Sequence, residues 1–147
     1  MIYVKDILEI CGGILISGNE NIECINFTND TRKLNKGDVY VGIKGESFNG
    51  NNFYIEAFDK GASVCILDED TPIDRSLRKK AIVLVSDTVK AIQELAKYKR
   101  SLYDIPVVAV TGSVGKTSVK DMVYKVVSSG YDTLCTEGNR IIILGYL

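Results

Sequence analysis

The sequence predicts an α/β protein: a small α/β domain followed by the first βαβ unit of a phosphate-binding P-loop domain. Three observations predict it. Short apolar runs alternate with segments of helical period between residues 4 and 100, as expected where strands and covering helices alternate. Pro106 follows Tyr103-Asp104-Ile105 and precedes a fresh apolar run, and because the residue before a proline favours extended structure, a hinge is expected there. The run itself, Val107 to Ser118 (VVAVTGSVGKTS), passes from an apolar stretch through two glycines into Lys-Thr-Ser, the order of a strand, an anion-binding turn and a helix. The predicted domains are therefore residues 1–105 and 106–147.

From the N-terminus, Val4, Ile7, Leu8 and Cys11 repeat with helical period and Gly12-Gly13 stops them, predicting a short helix. Ile14 to Ile16 and Ile22 to Phe27 read as extended segments on either side of a Ser-Gly-Asn turn. Residues 28–38, TNDTRKLNKGD, lack periodicity and form a polar loop before a strand at Val39 to Ile43. KGESFNGNN, residues 44–52, is a second polar loop, and Phe53 to Lys60 is a helix ended by Gly61. Strands are expected at Ala62 to Leu67 and Ala81 to Val85, separated by a surface excursion from Asp68 to Lys80 that is acidic and then basic. Asp87 caps a helix that carries Val89, Ile92, Leu95 and Ala96 and runs to about residue 100.

Beyond the hinge, Val107 to Val110 is an unbroken apolar run, which suits a strand buried on both faces of a parallel sheet. Val119, Met122, Val123, Val126 and Val127 share one helical face, Gly130 ends that helix, and Thr133 to Thr136 is a second strand. Between strand and helix, Gly112 and Gly115 allow close backbone approach to a phosphate, Lys116 places an ammonium near it, and the Thr117 hydroxyl suits Mg²⁺. The glycine that opens a standard P-loop is replaced by Val110, so only the compact form TGxxGKTS is present. A plain strand-to-helix turn with an exposed Lys116 is the competing account. Residues 137–147 add a Glu-Gly-Asn turn and an apolar tail. A single crossover cannot cover both faces of a sheet, so the second domain is expected to be incomplete, the chain to be part of a larger protein, and residues 107–147 to be the less stable half.

Composition narrows the chemistry. The chain of 147 residues is 46% hydrophobic and 25% charged with a net charge of −1, which speaks against disorder and against a basic nucleic-acid surface. No apolar run approaches bilayer length, and Lys5 and Asp6 interrupt the N-terminus before a signal-peptide core can form, so a cytoplasmic protein is expected. Cys11, Cys24, Cys65 and Cys135 are scattered, three of them among aliphatic residues, which predicts buried free thiols rather than a disulfide framework or a zinc site. Histidine is absent, removing Ser-His and Cys-His nucleophile pairs and leaving phosphate, Mg²⁺ and carboxylate chemistry.

Taken together, NDTRKLNKGDVYVGIKGESFNG (29–50), NNFYIEAFDKGASVCIL after it, VTGSVGKTSVKDM (110–122) and TEGN (136–139) resemble the Mur ligases, ATP-dependent amide-forming enzymes of peptidoglycan synthesis. Within the family the likeness is to the branch that joins D-alanyl-D-alanine to a UDP-MurNAc-tripeptide. The resemblance implies a first domain that holds the UDP part of the substrate and a central domain that binds ATP. Carried over by position, Gly112, Ser113, Val114, Gly115, Lys116, Thr117 and Ser118 would form the ATP site, with Lys116 catalytic and Thr117 toward Mg²⁺. Thr31, Arg32, Gly45, Glu46, Ser47, Phe48 and Asn139 would face the UDP substrate, although from residues alone an Asx-turn-rich connection accounts for the first loop equally. The family's Gly-Asn-x-Asn-Asn turn is Gly138-Asn139-Arg140-Ile141-Ile142 here, so two polar substrate-side positions are isoleucine. The implied partners are ATP, a UDP-MurNAc-peptide and D-alanyl-D-alanine, acting on a monomer. The alternative is a non-catalytic nucleotide-binding or interaction module derived from such a ligase. A P-loop kinase or GTPase would need further strands and a base-recognition segment.

Overall fold

The computed structural model describes residues 1–69, Leu77 and 79–136. The chain divides into two units, Met1–Leu102 and Tyr103–Ile142, the second described through Thr136.

In chain order the first unit contains β1 (Ile2–Tyr3), α1 (Val4–Cys11), β2 (Ile14–Ser17), β3 (Glu23–Cys24), β4 (Phe27–Thr28) and β5 (Val39–Val41). A 3₁₀ turn (Gly50–Phe53) then leads into α2 (Tyr54–Asp59), followed by β6 (Val64–Leu67), β7 (Ala81–Leu84) and α3 (Thr88–Ser101). β4, β5, β6 and β7 run parallel in that spatial order, and β2 closes the β7 edge antiparallel to it. β1 and β3 form a separate antiparallel pair.

Parallel strands between helices are buried on both faces, and the register shows how these residues divide between them. Val39, Val64 and Ala81 align, as do Val41, Ile66 and Val83, and all six pack into one core with Val4 and Ile7 of α1 and Ala91, Ile92 and Leu95 of α3. The alternate positions Tyr40, Cys65 and Ile82, with Leu67, turn to the opposite face, where Tyr54, Ala57 and Phe58 of α2 cover them. The result is a three-layer α/β/α arrangement, as the apolar runs and helical periods predict.

Local signals act as expected at the helix ends. Gly12 adopts φ 62° just past α1, and its N–H donates to the Leu8 carbonyl, a left-handed stop that a side chain would disfavour. Asp87 caps α3 by accepting from the Lys90 N–H at 2.9 Å. All four cysteines are free; Cys24 and Cys65 are buried, and burial raises both thiols, Cys24 to about 12.

Several boundaries differ. The extended segment expected from Ile22 to Phe27 is two strands, because β3 pairs with β1 whereas β4 joins the parallel sheet. Ala62 lies outside β6, its N–H donating to Ala57 O in the turn that closes α2.

The second unit contains α4 (Lys116–Val127), which starts three residues before the expected apolar stripe. The strands expected at Val107–Val110 and at Thr133–Thr136 are not formed. Val107 and Val108 are 67% and 70% exposed, and among the described residues no strand pairs with either segment, so neither gains the ladder that would make it a strand. No residue of α4 is buried, and Met122 and Val126 of its apolar stripe are exposed. The Glu137-Gly138-Asn139 turn and Ile141-Ile142 lie outside the described residues.

Candidate functional site

Because β4 and β5 are adjacent and parallel, the loops that follow them leave the same edge of the sheet. Carboxyl edges of parallel strands are where α/β folds bind ligands. The first loop carries Thr31 and Arg32; the second carries Gly45, Glu46, Ser47 and Phe48.

The first loop is tightly tied. Its base is closed by Asp38, 5% exposed, whose carboxylate accepts from Asn26 Nδ2 at 3.2 Å and from the Asn35 N–H at 2.8 Å. At its tip, Arg32 donates to Asp30 through Nε and Nη2, both at 2.8 Å, and through its backbone N–H at 3.0 Å. These bonds from Arg32 hold the Asp30 carboxyl down to about 2. The Thr31 hydroxyl donates to Glu56 Oε1 at 2.9 Å, linking this loop to α2, the helix that follows the second loop. Lys60 also donates to Glu56, and the two bonds, Lys60's first, lower the Glu56 carboxyl.

The second loop folds back on itself. A bridge pairs Lys44 with Asn49, and the Gly45 N–H donates to Phe48 O at 2.7 Å, making residues 45–48 a tight turn. The Phe48 ring stacks on Phe53, centroids 4.9 Å apart and planes 19° apart, yet remains 53% exposed. Gly50 permits the return: a Cβ there would lie 2.5 Å from Ile43 O and 2.7 Å from Ile43 N.

Beneath this turn is a polar network that the sequence did not reveal. Asn51, fully buried, donates through Nδ2 to Asn49 Oδ1 at 2.9 Å and Asp68 Oδ1 at 2.7 Å, and its Oδ1 accepts from the Asp68 N–H at 3.0 Å. Asp68 Oδ2 accepts from the Thr88 hydroxyl at 3.0 Å and the Thr88 N–H at 3.2 Å. Thr88 Oγ1 also donates to Gly42 O at 3.2 Å. Residues following β5, β6 and β7 are thereby joined. The available signal was two carboxylates, Asp68-Glu69, directly after a buried strand; the charge change downstream made them look like solvated surface.

In the second unit, Gly115 caps α4 with φ 79°. The first helical bond runs from the Val119 N–H to Gly115 O at 3.0 Å, so the amides of Lys116, Thr117 and Ser118 lie in the first turn, at the positive end of the helix dipole. Lys116 Nζ donates to Gly112 O at 2.5 Å, closing the TGSVGK turn. Neither glycine is crowded: a Cβ on Gly115 would meet nothing within 4 Å, and one on Gly112 only Val114 O at 3.6 Å. The turn therefore places glycine backbone and three first-turn amides at the helix N-terminus, the arrangement the sequence predicts for an anion-binding turn. For a metal it offers the Thr117 hydroxyl; no group of three or more acidic, His or Cys side chains suited to a cation occurs among the described residues. Asn139 lies outside those residues.

A mainly parallel α/β unit with two polar loops on one carboxyl edge, followed by a glycine-turn helix, is the class of fold found in the Mur ligases, to which the chain is homologous. No family model matches the chain. Several of its relatives are UDP-N-acetylmuramoyl-tripeptide–D-alanyl-D-alanine ligases. The chain is 36% identical over 137 residues to the UDP-N-acetylmuramoyl-tripeptide–D-alanyl-D-alanine ligase of Bacillus subtilis, covering 92% of this chain and 30% of the relative. A crystal structure of MurF from Acinetobacter baumannii matches with a TM-score of 0.81 at 30% identity, over 93% of this chain and 30% of that one. The MurF ligase of Thermotoga maritima, in complex with ADP, matches with a TM-score of 0.68 at 33% identity, over 78% of this chain and 26% of that one. The chain spans about 30% of the length of the curated relatives it matches, and the likeness is to their N-terminal portion. Among the described residues no helix is long and apolar enough to cross a membrane.

Proposed function

We propose that this chain is the nucleotide-substrate-holding part of a cytoplasmic, ATP-dependent amide ligase that adds D-alanyl-D-alanine to UDP-MurNAc-tripeptide in peptidoglycan synthesis. The observation that carries the proposal is the pairing of two loops on one carboxyl edge, Thr31-Arg32 and Gly45–Phe48, in a chain homologous over nearly its whole length to such ligases. Residues 1–105 are assigned to the UDP substrate and residues 106–147 to ATP. Arg32 offers the guanidinium N–H groups not given to Asp30 to diphosphate oxygens, Thr31 sits beside it with its hydroxyl tied to Glu56, the Gly45–Phe48 turn supplies backbone amides and an aromatic face, and Asn139 belongs to the substrate side.

In the overall reaction the γ-phosphoryl group of ATP passes to the terminal carboxylate of the tripeptide. The dipeptide amine then attacks the acyl carbon, and phosphate leaves as the amide forms. Lys116 offsets negative charge on the moving phosphoryl group, and amides of the Gly112–Ser118 turn orient the phosphate chain. Mg²⁺ arriving with ATP would be held on the protein side by Thr117 and would neutralise phosphate oxygens. By itself this chain binds ligands without completing catalysis.

Calorimetry on the whole chain tests the assignment with two titrants, UDP and Mg-ATP. UDP binding is expected to weaken at least about tenfold in Arg32→Ala, the loss of one charge-assisted contact. Mg-ATP binding is expected to disappear in Lys116→Ala and to persist in Arg32→Ala. Absence of any UDP binding to the unaltered chain refutes the substrate assignment.

A further inference from the structure

We propose that Glu69 is a positioning residue for the nucleotide-facing turn at 45–48, a role that rests on the assignment of that turn to the UDP substrate. The turn is closed by the bridge between Lys44 and Asn49. Both of these base residues are held by one carboxylate: Lys44 Nζ lies 2.6 Å from Glu69 Oε1, and Asn49 Nδ2 donates to Glu69 Oε2 at 2.7 Å. Glu69 therefore spans the mouth of the turn with one oxygen on each leg.

Its own position is fixed from behind. Asp68, one residue earlier, gives its N–H to Asn51 Oδ1 and accepts from Asn51 and Thr88, both 0% exposed. Mutually satisfied polar groups anchored on buried Asn51 and Thr88 leave little slack, so the Asn51–Asp68–Thr88 network sets where residue 69 leaves β6. Asn49 joins the two tiers, since its Oδ1 accepts from Asn51 while its Nδ2 reaches Glu69.

The chemistry favours positioning over ligand contact. A carboxylate repels a diphosphate, but here both oxygens are engaged by donors from the turn, and the bond from Lys44 followed by that from Asn49 lowers the Glu69 carboxyl from its ordinary value. Ionised, and with its charge paired by Lys44, Glu69 holds Gly45–Phe48 in the conformation that presents its amides and the exposed face of Phe48. Shortening the side chain to alanine releases both legs at once. Glutamine keeps one carbonyl oxygen and can serve only one leg.

The test measures hydrogen exchange at the Gly45 amide and UDP affinity by calorimetry, in the whole chain and in Glu69→Ala, Glu69→Gln and Asn49→Ala. In Glu69→Ala, Gly45 exchange is expected to accelerate at least about tenfold while the amides of Val64–Leu67 and Ala81–Leu84 keep their protection, and UDP is expected to bind about tenfold more weakly. Glu69→Gln should fall between. Combining Asn49→Ala with Glu69→Ala should weaken UDP binding by less than the product of the single effects, as expected of residues acting through one contact. Unchanged Gly45 exchange in Glu69→Ala overturns the proposal, as does loss of protection throughout the sheet, which marks a merely structural residue. If the unaltered chain binds no UDP, the substrate assignment fails, and Gly45 exchange alone decides whether Glu69 orders the turn.

Discussion

Asp30 and Arg32 hold one another across a single intervening residue, so the loop tip carries a preset guanidinium rather than a free one. Its electrostatic signature has a definite sign. The Asp30 carboxyl titrates at about 2, below its ordinary value of 3.8, so the contribution of the pair is present above that ordinary value and is lost as pH falls toward 2. Side-chain NMR titration should place the Asp30 midpoint near 2 and move it upward in Arg32→Ala; a midpoint near the ordinary value in the unaltered chain would show that the pair is open in solution. Asn51 is the opposite case, a buried amide with no charge of its own that satisfies Asp68 and Asn49 together. Asn51→Ala leaves the half-buried Asp68 carboxylate and its backbone amide without their Asn51 partner, a loss of about 2 kcal/mol. Urea unfolding should register it as a lower midpoint, and Asn51→Asp, which sets a second carboxylate against Asp68, should be no better.

At the scale of elements, the carboxyl edge is shaped by how closely the backbone returns on itself after β5. Gly50 sits where any Cβ meets the backbone of Ile43, atoms that cannot rotate away. Gly50→Ala should therefore cost about 3 kcal/mol or more, and it should also displace the Tyr40 hydroxyl, which donates to Gly50 O at 2.9 Å; Gly45→Ala, whose nearest contact would be Phe48 O at 3.6 Å, should unfold near the unaltered midpoint. Equal midpoints for the two variants would contradict the packing. The three central strands and the three helices of this unit were legible because each bears its own pattern: unbroken apolar runs such as Val64–Leu67, or a stripe such as Val89, Ile92, Leu95 and Ala96 behind the Asp87 cap, of which Ile92 and Leu95 are buried and Ala91 joins them. β4 was not resolved from β3 because two residues carry no period, and only pairing with Val39 and Tyr40 makes Phe27–Thr28 a strand. Val107–Val110 failed in the other direction: its composition is that of a buried strand, but composition supplies no hydrogen-bonding neighbour. The candidate loops were legible as glycine-rich, polar interruptions and through their likeness to a family. Glu69 was not, since its role depends on Lys44 and Asn49 being brought to it by the fold.

At the scale of the whole molecule, the two units differ in what sustains them. Among its described residues the first buries apolar side chains on both faces of its sheet, fourteen in the cluster beneath α1 and α3 and eight in the cluster beneath α2. Such burial makes opening a cooperative event, so the central amides should exchange only through global unfolding. In the second unit, α4 has twelve residues and buries none, and a helix of that length without tertiary packing is marginal in water. Native-state hydrogen exchange on the whole chain should therefore separate the two. The amides of Val64–Leu67 and Ala81–Leu84 should be protected by a factor of about a thousand or more, in keeping with ordinary domain stability, and those of Val119–Val127 by about tenfold or less. Saturating Mg-ATP, if it engages the Gly112–Ser118 turn, should raise protection at the first turn of α4 before its last, because the ligand acts at the helix N-terminus. Equal protection of α4 and the central strands in the unliganded chain would mean that the exposed stripe of Val119, Met122 and Val126 is covered in solution, and would contradict the inequality drawn here from burial.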